Sequence, residues 1–189
     1  MDAKDFKEIS MIQFNTLTLI TGPMFSGKST ELIRCVEKYI IGGYKVLVIK
    51  PGKDTRQRYV KSRFGKELEC KQAEHADDIV SMAEPYEVVA IDEAQFLPGI
   101  HHCVDKLLKN GKRVFVAGLD VQSEGKWFGD VFALLAWASE VIKLTAVCED
   151  CKNDSAIRTV IRNGPQGDGG IGNAEKYKPV CITCFQKYQ

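Results

Sequence analysis

The chain has 189 residues, 44% of them hydrophobic, with 26 basic and 25 acidic side chains and a net charge of +1. That suffices for one α/β domain of ordinary size plus a small appendage, and the balanced charge gives no ground to expect nucleic acid or an anionic membrane as partner. No apolar run approaches the roughly 18 residues of a membrane span, and the first eight residues resemble neither a signal nor a transit peptide, so a soluble, cytoplasmic protein is expected.

Residues 1–14 read as a loosely held arm. Thr16 to Thr21 is an apolar strand that runs into Gly22-Pro23-Met24-Phe25-Ser26-Gly27-Lys28-Ser29-Thr30. Gly22 to Ser29 matches the phosphate-loop pattern G-x-x-x-x-G-K-[ST]. The spacing has a physical reason. Glycines let the backbone curl so that successive N–H groups face phosphate oxygens, and the following helix adds the positive end of its dipole. Lys28 can then reach the β- and γ-phosphates, and the Ser29 hydroxyl can ligate Mg²⁺. Leu32, Ile33, Val36, Tyr39 and Ile40 fall at helical spacing up to Gly42-Gly43. Lys45 to Lys50 reads as a second strand, which completes the β–α–β opening of a parallel sheet.

Lys53 to Lys66 is polar and basic, the composition of a surface loop. Asp54 and Arg56 lie just past a strand's carboxyl end, where ligands bind in open α/β sheets, and would suit Mg²⁺ and phosphate. Further on, His75 to Met82 predicts a short helix, Tyr86 to Glu93 a strand, Ile100 to Asn110 a helix and Lys112 to Ala117 a strand. Gly129 to Ser139 predicts an apolar helix and Glu140 to Val147 a last strand. The alternation gives an α/β fold over 15–147: one parallel P-loop sheet flanked by helices.

Asp92 ends the apolar run Val88 to Ile91, where a P-loop nucleotidase holds Mg²⁺. Glu93 beside it can take a proton from an attacking hydroxyl, a contribution of roughly 10²–10⁴-fold in rate. ATPases use such a Glu on water and kinases on a substrate hydroxyl; the pair alone does not choose.

Seven cysteines are present. Cys35, Cys70 and Cys103 are scattered through α/β sequence. Cys148-x-x-Cys151 and Cys181-x-x-Cys184 form two knuckles with 29 residues between them. Four thiolates at this spacing point to a closed structural zinc site over 148–189; redox dithiols or an iron–sulfur cluster are the alternatives. The glycine-rich insert 166–177 would be fixed at both ends by the metal and could close over something small.

Gly22 to Thr30, Lys53-Asp54-Thr55-Arg56, Ile91-Asp92-Glu93-Ala94-Gln95-Phe96, Ala117 to Asp120, Phe128-Gly129, Lys143 to Cys148, Glu175 to Tyr177 and the cysteine quartet together resemble the type II thymidine kinases. The resemblance implies phosphoryl transfer from ATP-Mg²⁺ to the 5′-hydroxyl of thymidine, and of deoxyuridine, with Glu93 as base. It implies donor-phosphate contacts from the P-loop, Asp54, Arg56, Asp92 and Gln95, and magnesium held by Ser29, Asp54 and Asp92. The acceptor base would lie among Met24, Phe96, Leu119, Phe128, Thr159 and Tyr177. A zinc-anchored lasso carrying Asp168, Gly169, Gly170, Ile171 and Gly172 would cover it. It further implies a homotetramer (or dimer) and inhibition by the end product dTTP. A nucleic-acid-stimulated ATPase and a zinc-stapled nucleotide sensor are the competing readings.

Overall fold

The computed structural model describes residues 14–52, 59–61, 65–162 and 175–189. Asp54, Arg56 and the lasso residues Asp168 to Gly172 lie outside the described residues, as does the arm before Phe14. Phe14 itself is docked. Its N–H donates to Gly111 O at 3.1 Å, and its ring meets Tyr39 and Tyr44 edge-on.

Six strands form one sheet: β1 (Thr16–Thr21), β2 (Val46–Pro51), β5 (Lys71–Ala73), β6 (Val88–Ile91), β7 (Arg113–Gly118) and β8 (Glu140–Lys143). They lie in the order β5-β2-β6-β7-β1-β8, and every pairing is parallel. Strands buried on both faces read as continuous apolar runs, which is why β1, β6 and β7 were visible as Val/Ile/Leu-rich segments.

Side chains alternate between two cores, one on each face. Leu17, Leu19, Val89, Ile91, Val114 and Val116 face one core. Helices α2 (Ala76–Met82) and α3 (Ile100–Lys109) cover it with Ile79, Val104 and Leu107. Ile20, Val48, Ala90, Phe115 and Ala117 face the other, covered by α1 (Lys28–Ile41) through Leu32, Ile33 and Val36. The parallel sheet with helices on both faces agrees with the alternation read from the sequence.

Three segments differ from expectation. The apolar stretch 129–139 is no α-helix: only Val131–Ala136 is helical, and it is a 3-10 turn. Its buried residues are Val131 and Leu134, three apart, which is the 3-10 period. Phe132, Leu135 and Trp137 are exposed, so the run has no second apolar face to bury as a full helix would. The last strand stops at Lys143, because the chain leaves the sheet to pair Ala146 with Ala156. The polar stretch after β2 contains part of a hairpin, β3 (Tyr59–Lys61) with antiparallel β4 (Glu67–Glu69). Its strands are too short and polar to show a period.

Beyond β8 a small unit follows, made of β9 (Arg158–Ile161), antiparallel β10 (Tyr177–Val180) and the turn α4 (Ile182–Phe185). Its core is Cys148, Ala156, Val160, Val180, Cys181, Cys184 and Phe185. Among the described residues no helix is long and apolar enough to cross a membrane.

Leu107 on α3 has no solvent exposure. Leu107→Ala is expected to cost about 2–5 kcal/mol of unfolding free energy, read as a lower urea midpoint with unchanged slope.

Candidate active site and cysteine cluster

The site gathers at the carboxyl ends of the strands. β1 lies between β7 and the edge strand β8, so the phosphate loop leaves the sheet one strand in from that edge, with β6 beyond β7. Gly22 opens the loop at φ +141°, where a Cβ would stand 2.4 Å from Leu144 O. Neither the dihedral nor the space admits a side chain. Gly27 then starts α1 without a side-chain cap, which leaves the first-turn N–H groups to the loop, the arrangement that binds anions. Lys28 Nζ donates to Pro23 O at 2.8 Å and Ser26 Oγ to the same oxygen at 2.9 Å. Both bonds curl the loop.

Ser29 Oγ donates to Asp92 Oδ2 at 3.0 Å, across the end of β7. Two residues 63 apart in the chain, each singled out from sequence for magnesium, are thereby in contact. Asp92 is only 2% exposed. Burial first, and then the Glu93 carboxylate, push its carboxyl up to about 6; Lys50, the Ser29 hydroxyl and Lys28 pull the other way. Hard oxygen donors in such an anionic setting suit a divalent cation. Sequence reasoning passed over Lys50. Asp92 N–H donates to Ile49 O, so this buried lysine at the end of β2 is a lateral neighbour of Asp92. A lysine closing an apolar strand beside the P-loop was the available signal.

Glu93 follows in the left-handed region at φ +54°, which is costly for a non-glycine residue and typical of functional sites. Its Oε2 accepts from Gln95 Nε2 at 2.6 Å. Gln95 Oε1 in turn accepts from Leu119 N–H at 3.0 Å. Phe96 and Phe128 meet edge-to-face with centroids 5.6 Å apart.

Thr159 is brought to the same place from the other end of the chain. Met24 N–H donates to its Oγ1 at 2.9 Å. In the hairpin, Thr159 faces Pro179 and Ile161 faces Tyr177, so Thr159 and the buried Tyr177 share one side. Val160 and Val180 point to the opposite side, into the cysteine-rich core. One face of this ribbon meets the phosphate loop and the other holds the cysteines.

The sulfur atoms of Cys148, Cys151, Cys181 and Cys184 all lie within 4.8 Å of one another. Cys151 and Cys181 Sγ are 3.7 Å apart. That is too long for a disulfide and close to the ~3.8 Å edge of a tetrahedron with ~2.3 Å zinc–sulfur bonds. Burial would raise the Cys148 thiol, but N–H groups of Cys151, Cys181 and Asp150 aim at it and, with the Cys151 thiol, draw it down to about 6. Cys184 is pushed up to about 12, by burial and then by the Cys181, Cys151 and Cys148 thiols around it. Four sulfurs this close cannot all ionise without a cation among them, and zinc fits the donor set.

Elemental analysis is expected to find about one zinc per chain, and Cys148→Ala should bring it near zero. Because Thr159 rides on the cysteine-anchored ribbon, the same substitution should weaken ATP binding; unchanged ATP affinity in the zinc-free chain would separate the two.

A family model described as "TK: Thymidine kinase" matches residues 15–185. The chain is 40% identical over 173 residues to the cytosolic thymidine kinase of Bos taurus, covering 90% of this chain and 72% of that one. It is 39% identical over 168 residues to the thymidine kinase of Myxoma virus (strain Lausanne), covering 88% and 94%. To the cytosolic thymidine kinase of Homo sapiens it is 40% identical over 174 residues, covering 90% and 73%. The match extends through both the phosphate loop and the cysteine knuckles, and the chain belongs to the thymidine kinase family.

Proposed function

We propose that the chain transfers the γ-phosphoryl group of ATP to the 5′-hydroxyl of thymidine, and of deoxyuridine, giving ADP and the nucleoside monophosphate. The observation that carries the reading is the juxtaposition of Ser29, Asp92 and Glu93 at the mouth of the phosphate loop, in a chain of this family. Loop N–H groups and Lys28 bind the donor phosphates. Ser29 and Asp92 hold magnesium, which when bound neutralises phosphate charge. Glu93 takes the proton of the acceptor hydroxyl; that oxygen bonds to the γ-phosphorus as the bond to the β–γ bridging oxygen breaks.

Asp54 and Arg56 serve the metal and the phosphates in this reading. The acceptor base lies against Met24, Phe96, Leu119, Phe128, Thr159 and Tyr177. It is covered by Asp168, Gly169, Gly170, Ile171 and Gly172. The contact between Met24 and Thr159 supports a shared wall between donor and acceptor sites. Main-chain groups pairing with the pyrimidine edge would reject cytosine nucleosides, since buried amides would be left unpaired. A homotetramer (or dimer), inhibition by dTTP and a cytoplasmic location complete the proposal on family resemblance.

ATP consumption should rise with thymidine and not with single-stranded DNA; the opposite result would make the chain a nucleic-acid-stimulated ATPase. Glu93→Gln should keep ATP and thymidine binding and lose roughly 10²–10⁴-fold in kcat. An undiminished kcat would remove Glu93 as the base.

A further inference from the structure

Gln95 sits on the 3-10 turn Ala94–Phe96, directly after Glu93, and is 5% exposed. Sequence reasoning grouped it with donor-phosphate residues, yet both ends of its amide meet protein groups. The Leu119 N–H can only donate, so the amide oxygen must face it, and this fixes the NH₂ group on Glu93 Oε2. The residue also lies where two glycines come close, one to its side chain and one to its backbone. A Cβ on Gly118 would stand 3.0 Å from Gln95 Oε1, and one on Gly129, at φ +55°, 2.8 Å from Gln95 O. Two glycines on two separate segments therefore leave room for this one residue.

We propose that Gln95 is a positioning residue for Glu93. Its amide takes Oε2 and so leaves Oε1 as the oxygen that receives the acceptor proton. It also ties the carboxylate to Leu119, so the base and a wall of the acceptor pocket keep one geometry. An uncharged donor suits the task. It orients the carboxylate without adding a cation that would stabilise the anion and blunt it as a base. The proposal rests on Glu93 being the base.

The test is steady-state kinetics of Gln95→Glu and Gly118→Ala, each alone and combined with Glu93→Gln. Gln95→Glu keeps an acceptor for the Leu119 N–H and sets a like-charged carboxylate against Glu93 in place of the neutral donor. It is expected to lower kcat by about tenfold or more, with the ATP KM within about twofold of the parent, a share of the roughly 10²–10⁴-fold available to a general base. Gly118→Ala displaces the amide without changing its chemistry and should give a smaller fall with the same split. Should Gln95→Glu fail to fold, Gly118→Ala decides. Neither change should add to the loss in Glu93→Gln, because the residue they position is already disabled. A normal kcat in both variants, with Glu93→Gln inactive, overturns the role of Gln95 alone. A fall in kcat accompanied by an equal rise in ATP KM also overturns it. An active Glu93→Gln overturns the base assignment and this proposal together.

Discussion

The Asp92 carboxylate is withdrawn from water at the carboxyl end of β6, an interior strand of a parallel sheet, and the rest of the site is arranged around that fact. A buried anion needs donors and counter-charge to remain an anion. Ser29 supplies the donor, and Lys28 and Lys50 supply the charge. Glu93 next to it adds a second negative group and works against both. This opposition leaves a strong local demand for a cation, at the place where phosphates also need one. Burial that would destabilise an ordinary Asp would here suit the metal–phosphate pair of the proposed reaction.

The C-terminal unit solves a different problem. Among the described residues its core is seven buried side chains, too few to order two strands and a turn by hydrophobic burial alone. The four clustered cysteines could hold a metal, and one bound there would supply the stability that area cannot. Stiffness gained on one face of the ribbon is delivered on the other, where Thr159 meets the phosphate loop. Alternation of side chains across a strand is the device that links them: Val160 reaches the cysteine core and Thr159 the nucleotide site, one residue apart.

Much of this was legible in the sequence, for physical reasons that differ by element. β1, β6 and β7 were readable because parallel strands buried on both faces are predominantly apolar. Ser29 and Asp92 were readable because their chemistry tolerates few other residue types. The hairpin partners β3 and β4 were not, since three residues with a single aliphatic one at the centre are too few to establish a period. The 3-10 turn at 131–136 was read as an α-helix because apolar content shows that a segment packs, not how tightly it winds. Gln95 was recognised as part of a motif, but its partners could not be. A bond to Leu119, 24 residues away, exists only once β6 and β7 lie side by side. Lys50 is a like case, visible as a residue and invisible as a neighbour of Asp92.

The bond from Met24 to Thr159 joins residues 135 positions apart. During synthesis the phosphate loop emerges well before the hairpin that meets it. Until then the Met24 N–H has no Thr159 to meet, and the loop lacks one of the contacts that set its shape. Contacts of such sequence separation form late and carry a high loop-closure cost. A chain stalled or cut before residue 159 would therefore hold a formed sheet and a nucleotide loop of unfinished shape. The finished shape of the loop is in this sense settled far along the chain, only when Met24 and Thr159 have met.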